Sequence, residues 1–185
     1  GVIKKMISEF DNPVRDYLNF EDDMLCMNQL LNREIKIKFI GYQCLSCNSD
    51  IEIYRQGFCK NCFFDVPQAA DWIIKPELSK AHLNIEERDL NYEKEIQLQP
   101  HIVYLANTGN IKVGVTRKSQ TPYRWIDQGA HQAIEILEVP NRYLAGVAEI
   151  SIKKYISDKT NWRKMLINKK TSENILNYKS QAKNF

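Results

Sequence analysis

Cys44-Leu45-Ser46-Cys47 and Cys59-Lys60-Asn61-Cys62 are two CxxC pairs separated by 11 residues, and they restrict the folding of this chain more than any other feature. Each CxxC loop aims two thiolates at one point. A short hairpin between the loops then closes both pairs into one tetrahedral shell, the arrangement of structural zinc. Tyr54 to Phe58, with Gly57 ahead of Cys59, supplies a strand and turn of the right length. A Cys₄ shell has no open coordination position, so Zn²⁺ held there folds its module and performs no chemistry. Disulfides belong to oxidising compartments, and a redox CxxC opens a helix in a βαβ unit instead of facing a second pair. Cys26, within Met24-Leu25-Cys26-Met27, reads as a small buried hydrophobe.

Composition narrows the partners. The 185 residues carry a net charge of +3, divided unevenly. Residues 1–98 hold 12 Lys and Arg against 17 Asp and Glu, a net −5, while residues 99–185 hold 14 against 6, a net +8. Positive potential concentrated in one half draws polyanions, so nucleic acid is the expected partner, with a solvated Lys/Asn-rich surface as the plain alternative. No apolar run approaches the roughly 20 residues that span a bilayer, and Ile3, Lys4, Lys5 and Glu9 do not form a signal segment. The expectation is a cytoplasmic protein without a membrane partner. No small-molecule cofactor motif is evident.

Hydrophobic periodicity gives an α+β fold. Val2 to Phe10 and Val14 to Phe20 read as strands around the turn Asp11-Asn12-Pro13. Ile35, Ile37 and Phe39 alternate with Lys36 and Lys38, the period of a half-buried strand over residues 33–42. Asn84, with Glu87 three positions on, predicts the cap of an acidic connecting helix that runs to Gln97 and ends at Pro100. Ile102-Val103-Tyr104-Leu105-Ala106 and Ile111-Lys112-Val113-Gly114-Val115, joined by Asn107-Thr108-Gly109-Asn110, predict a tight antiparallel hairpin, whose register the sequence leaves open. A helix from about Pro122, a strand from Ala133 to Val139, a helix from Asn141 to Ile156 and another from about Thr160 follow. The expected division is a β-rich zinc-binding module plus connecting helix over 1–98, a second domain over 99–168, and a basic, loosely ordered tail over 169–185.

Val103-Tyr104, Lys112-Val113-Gly114, Arg124-Trp125 and Glu149, in that order and near those spacings, resemble a GIY-YIG nuclease domain. The resemblance implies a small three-stranded sheet flanked by helices. Over most of its length, including Arg124 to Ala130, Asn141 to Gly146 and Asp158 to Arg163, the chain also resembles an uncharacterised bacterial family, domain-of-unknown-function family 2797. Some relatives in that family carry further cysteines near Ile74 to Leu78, where this chain has Ser79 and His82, so His82 is expected to be a surface or linker residue.

The GIY-YIG resemblance implies a divalent-metal-dependent endonuclease. Tyr104 is then the base or water positioner, Arg124 steadies the phosphate and Glu149 holds one cation. Mg²⁺ suits that role, since it uses few protein carboxylates and keeps its waters. Lys112 stands where the second motif normally has tyrosine. It either substitutes, favouring the Tyr104 phenolate and touching phosphate, or marks a fold that binds nucleic acid without cutting it. Arg117, Lys118, Arg142, Arg163 and Lys164 are the candidate backbone contacts, with Trp125, Tyr143 and Trp162 as stacking or packing aromatics. Packing is the expected role of the tryptophans. The ordinary alternatives are a Glu149–Lys153 helix pair, an Arg124–Asp127 pair and a core role for Tyr104. Ala145 and Gly146 are expected to leave room beside Glu149.

Overall fold

The computed structural model describes residues 1–167 and 174–182. It contains mixed helix and strand in two compact units, Gly1–Ala69 and Ala70–Phe185. In the first, β1 (Ile7–Glu9), β2 (Arg15–Asn19) and β3 (Met24–Cys26) form an antiparallel sheet in that order. Asp11 organises the β1–β2 turn, accepting from the Asn12 N–H at 2.8 Å and from Arg15 at 2.7 Å. Cys26 is half-buried.

The strand expected over residues 33–42 does not form. The segment makes no ladder, and Ile35, Ile37 and Phe39 are 45%, 78% and 66% exposed. Period-2 alternation supplies an apolar edge, but a strand exists only where a neighbouring backbone satisfies its N–H and C=O groups. No described strand pairs with this segment. The first unit ends with α1 (Lys60–Asp65), which starts directly after Cys59.

The second unit opens with α2 (Asp71–Ile74), two 3₁₀ turns at Pro76–Leu78 and Ala81–Leu83, and α3 (Leu90–Gln97). Asp89, not Asn84, caps α3. Its side chain accepts from the N–H groups of Asn91 and Tyr92, and Glu93, 1% exposed, accepts from those of Glu87, Arg88 and Asp89. Asn84 instead takes a left-handed conformation (φ 56°) after the second 3₁₀ turn. The local capping signal was outcompeted by a carboxylate able to satisfy three orphan donors at once.

Then come β4 (His101–Asn107), β5 (Ile111–Arg117), α4 (Tyr123–Ile126), β6 (Gln132–Val139), α5 (Arg142–Lys153), α6 (Trp162–Leu166) and α7 (Ile175–Ala182). The sheet is antiparallel with order β5-β4-β6. Every residue of the central strand β4 is buried, because both faces are covered. On one face Val103, Leu105 and Val113 pack with Ala145 and Ile152 of α5 and Ile175 and Ala182 of α7. On the other, Ile102, Tyr104 and Ala106 pack with Trp125, Ala130 and Ala133. Each fully buried Val or Leu contributes roughly 1.5–3 kcal/mol.

Part of the tail expected to be loose is therefore α7, seated in the core by Ile175 and Ala182; the rest of that tail, residues 169–173 and 183–185, lies outside the described residues. No helix among the described residues is long and apolar enough to cross a membrane.

Gly146 of α5 does not leave open space. A Cβ there would lie 2.5 Å from the carbonyl carbon of Pro76 and 2.8 Å from Glu77 Cα, so the Pro76–Glu77 backbone runs directly over the helix. Inside a helix Gly→Ala ordinarily stabilises by about 1 kcal/mol. Here Gly146→Ala is expected to destabilise by about 2–4 kcal/mol, because backbone must move to admit the methyl. Urea unfolding checks this, and a neutral or stabilised variant would contradict the close approach.

Candidate functional site

The first unit brings Cys44, Cys47, Cys59 and Cys62 together, with all four Sγ atoms within 4.8 Å of one another. Local backbone does this. Asn48 takes φ 56° as its N–H returns to Cys44 O at 3.0 Å, and Tyr54 to Phe58 make a tight hairpin that turns through Gln56 and Gly57 (φ 51° and 85°). The Cys59 N–H points at Cys44 Sγ at 3.3 Å, which first among several donors draws that thiol down to about 6. Cys62 is pushed up to about 12. There the downward pull of the Ser46 hydroxyl is outweighed by Cys59, desolvation, Cys47 and Cys44.

The Cys47–Cys59 sulfur separation is 4.0 Å. Four sulfurs about 2.3 Å from a tetrahedral ion sit about 3.8 Å apart, so the cluster fits a bound metal with little rearrangement. Phe58, Ala69, Ile53 and Phe63 pack around it. Replacing Cys44 with serine is expected to abolish stoichiometric metal binding and to expand this unit, read by metal analysis and by proteolysis of residues 43–69. Full metal content in the variant would contradict the site.

In the second unit the hairpin register pairs Tyr104 with Gly114 and Ala106 with Lys112. The Tyr104 ring lies across Gly114, where a Cβ would stand 2.8 Å from its hydroxyl oxygen and 2.9 Å from Cζ. A β-bulge on the other side of β4 follows from the shift between Val103↔Leu137 and Tyr104↔Glu135, which leaves Ile136 as the extra residue. Gln128 Nε2 donates to the Tyr104 hydroxyl at 2.8 Å, and Trp125 packs at 6.0 Å between ring centroids. Arg124, exposed on α4, is near enough for its charge to lower the Tyr104 pKa.

Tyr104 and Lys112, paired with Gly114 and Ala106, share one face of the sheet, whereas Glu149 stands on α5, whose Ala145 and Ile152 pack against the other; the sequence-predicted residues are related by charge effects and not by direct contact. Burial raises the Tyr104 pKa, Arg124 and Gln128 pull it down, and the Glu149 charge pushes it up. Lys112, 7% exposed, has its pKa lowered by burial and by Arg124, against Asp158 and Glu149. Glu149 is raised by burial first; Lys153 and Arg142 oppose that, while Asp158 and Glu77 add to it.

The ordinary partner expected for Glu149 is taken, since Lys153 Nζ pairs with Asp158 at 2.6 Å. Neither the Glu149 nor the Lys112 side chain makes a hydrogen bond or ion pair to a described residue. Burial outweighs the groups that lower the Tyr104 pKa, so its net shift is upward. At neutral pH the group is a phenol, a donor.

The five candidate backbone contacts fall into different environments. Arg142 is enclosed, its pKa lowered to about 10 mainly by burial; its guanidinium donates to the carbonyls of Trp72 and Ile73 at 3.1 and 2.7 Å and covers the Trp72 ring. It tethers α5 to α2. Lys118 is paired with Glu138 at 2.8 Å, and Arg117 is half-buried at the end of β5. Arg163 and Lys164 are exposed on α6. His82 stacks on Tyr143 at 4.6 Å between centroids.

Sequence reasoning missed Gln128 as a site residue; its place two residues before the end of Arg124 to Ala130 carried no signal of where its amide would point. Gln128→Leu removes a donor that favours the phenolate, so the Tyr104 pKa is expected to rise further. Tyrosine-labelled NMR titration, with Tyr104→Phe for assignment, reads it; a fall would contradict the bond's direction.

The class defined by this geometry is a two-unit protein of mixed helix and strand, with a four-cysteine cluster that could hold a metal in one unit and a mixed-charge cluster around a small antiparallel sheet in the other. The chain belongs to DUF2797, a family described as protein of unknown function, whose model matches residues 32–185. No curated protein and no solved structure matches the chain.

Proposed function

We propose that the second unit is a GIY-YIG-like domain that acts on nucleic acid as a divalent-metal-dependent endonuclease, and that the Cys₄ cluster of the first unit holds structural Zn²⁺. The observation that carries the reading is the hairpin register that lays Tyr104 across Gly114, with Gln128 Nε2 on its hydroxyl at 2.8 Å and Lys112 two residues along on the same face. The β5-β4-β6 sheet with flanking helices supports it, as does the net charge of +8 over residues 99–185.

Phosphodiester hydrolysis needs cations where charge grows on phosphorus and a group that orients the attacking water. Arg124 is exposed and near Tyr104, so its guanidinium is placed to take two phosphate oxygens. Lys112 reaches the same neighbourhood as a point charge whose buried stem holds it in position. With Gln128 donating to its oxygen, Tyr104 keeps its own proton free for water or a phosphate oxygen, which makes it a positioner and not a base. Glu149 is a half-buried carboxylate with no ion-pair partner among the described residues and with Asp158 and Glu77 charges nearby, an environment that favours a bound cation. A bound Mg²⁺ would neutralise charge on the leaving oxygen, and one carboxylate is within its habit of retaining most of its waters.

A second reading is a protein that binds nucleic acid without cutting it. The complete burial of Tyr104, 0% exposed, favours it. The two part on one experiment. With Mg²⁺ and mixed single- and double-stranded DNA and RNA, wild-type protein is expected to cleave, and Glu149→Ala to lose roughly 10²–10³-fold in rate with its circular dichroism unchanged. Equal rates in both proteins would remove the enzymatic reading, and binding that fell steeply with salt would then identify the second.

A further inference from the structure

Trp162 does not pack as tryptophans ordinarily do. Trp72 is 1% exposed and Trp125 sits against Tyr104, but Trp162 is 55% exposed at the start of α6. Its ring is not bare. The Arg163 guanidinium lies over it, 4.4 Å from the centroid, so an indole face is backed by positive charge.

The short helix carrying this pair is fixed at two places. Lys164 Nζ donates to Asn110 Oδ1 at 3.1 Å, at the hairpin tip. Gly109 and Gly129, with φ of 94° and 66°, bring backbone without side chains up to Lys164 and Met165; a Cβ would stand 3.3 Å from the Lys164 carbonyl carbon and 2.8 Å from Met165 Sδ, respectively. Gly129 is the residue after Gln128, whose amide holds the Tyr104 hydroxyl. The platform is thus anchored to the same hairpin and loop that build the mixed-charge cluster.

We propose that Trp162, backed by Arg163, is a stacking platform for an unpaired base, so that the nucleic acid taken by the second unit is single-stranded. The proposal rests on the nucleic-acid reading above and adds the strand state. A duplex hides its base faces, whereas a single strand offers one at every nucleotide, and stacking is indifferent to base identity. Charge decides against a protein partner: α6 carries Arg163 and Lys164 and no acid, in a half of the chain with a net +8. Lys164 and Arg124 then track the phosphates on either side of the stacked base.

The test uses the 185-residue chain, metal-loaded, and fluorescein-labelled 16-nucleotide mixed-sequence DNA and RNA, each single-stranded and as a duplex, read by anisotropy. The expected result is tighter binding of the single strands. Trp162→Ala should weaken single-strand binding roughly 10- to 100-fold with little effect on duplex. Trp162→Phe should retain most of it, and neither variant should change the salt slope, since no phosphate contact is removed. The ring is exposed, so both variants should fold; circular dichroism checks this, and Trp162→Phe decides should the alanine variant misfold. Duplex preference in wild type, or equal single-strand affinity in wild type and Trp162→Ala, overturns the platform. So does a Trp162-dependent self-association, seen by light scattering, with unchanged oligonucleotide affinity; that result makes the surface a protein contact. Nucleic-acid binding that ignores Trp162 leaves the wider reading standing, whereas Trp162-dependent binding without Glu149-dependent cleavage removes only the enzyme.

Discussion

The second unit depends on the burial of β4 on both faces. A strand enclosed in this way cannot present a polar side chain without a partner, and Tyr104, 0% exposed, meets that demand through Gln128. Gly114 makes the arrangement sterically open, because any side chain there would enter the tyrosine ring. One cross-strand pair therefore fixes where a phenol sits, which loop must fold back to reach it, and where an exposed guanidinium comes to rest.

The opposite face imposes a second constraint through α5. Gly146 lets the Pro76–Glu77 backbone lie against the helix, and Arg142, one turn earlier, bonds the carbonyls at the end of α2. These contacts bring the Glu77 charge close to Glu149 and hold Glu149 in a partly desolvated place. Lys153, which would neutralise it in an isolated helix, is drawn to Asp158. A carboxylate and a lysine whose side chains find no pair among the described residues are the consequence of packing, and each costs stability.

Much of this was legible in the chain. The two CxxC pairs announced a cluster because sulfur ligation needs little more than spacing and a turn, and the four thiols do meet. The hairpin was legible because Gly109 and Asn110 sit between two β-branched runs. Strand β6 and helices α5 and α6 also follow their periodicity closely. The misses share a cause. Residues 33–42 alternate like a strand but have no ladder partner, Asn84 resembles a cap but lost to Asp89 and Glu93, and the tail beyond Lys169 contains a helix whose apolar residues are filled by the core of the sheet. In each case the local signal was real, and the deciding term was a contact with residues distant in sequence.

Sequence by itself determined the four-cysteine cluster, the hairpin and the order of the chemically capable residues, because those depend on short-range spacing and on turn conformations that few residues can adopt. Tertiary structure alone decided the register that sets Tyr104 over Gly114, the diversion of Lys153 from Glu149 and of Arg142 into the fold, and the exposure of Trp162. Those outcomes depend on which groups share a desolvated space, and burial is a property of the packed chain that no local pattern encodes.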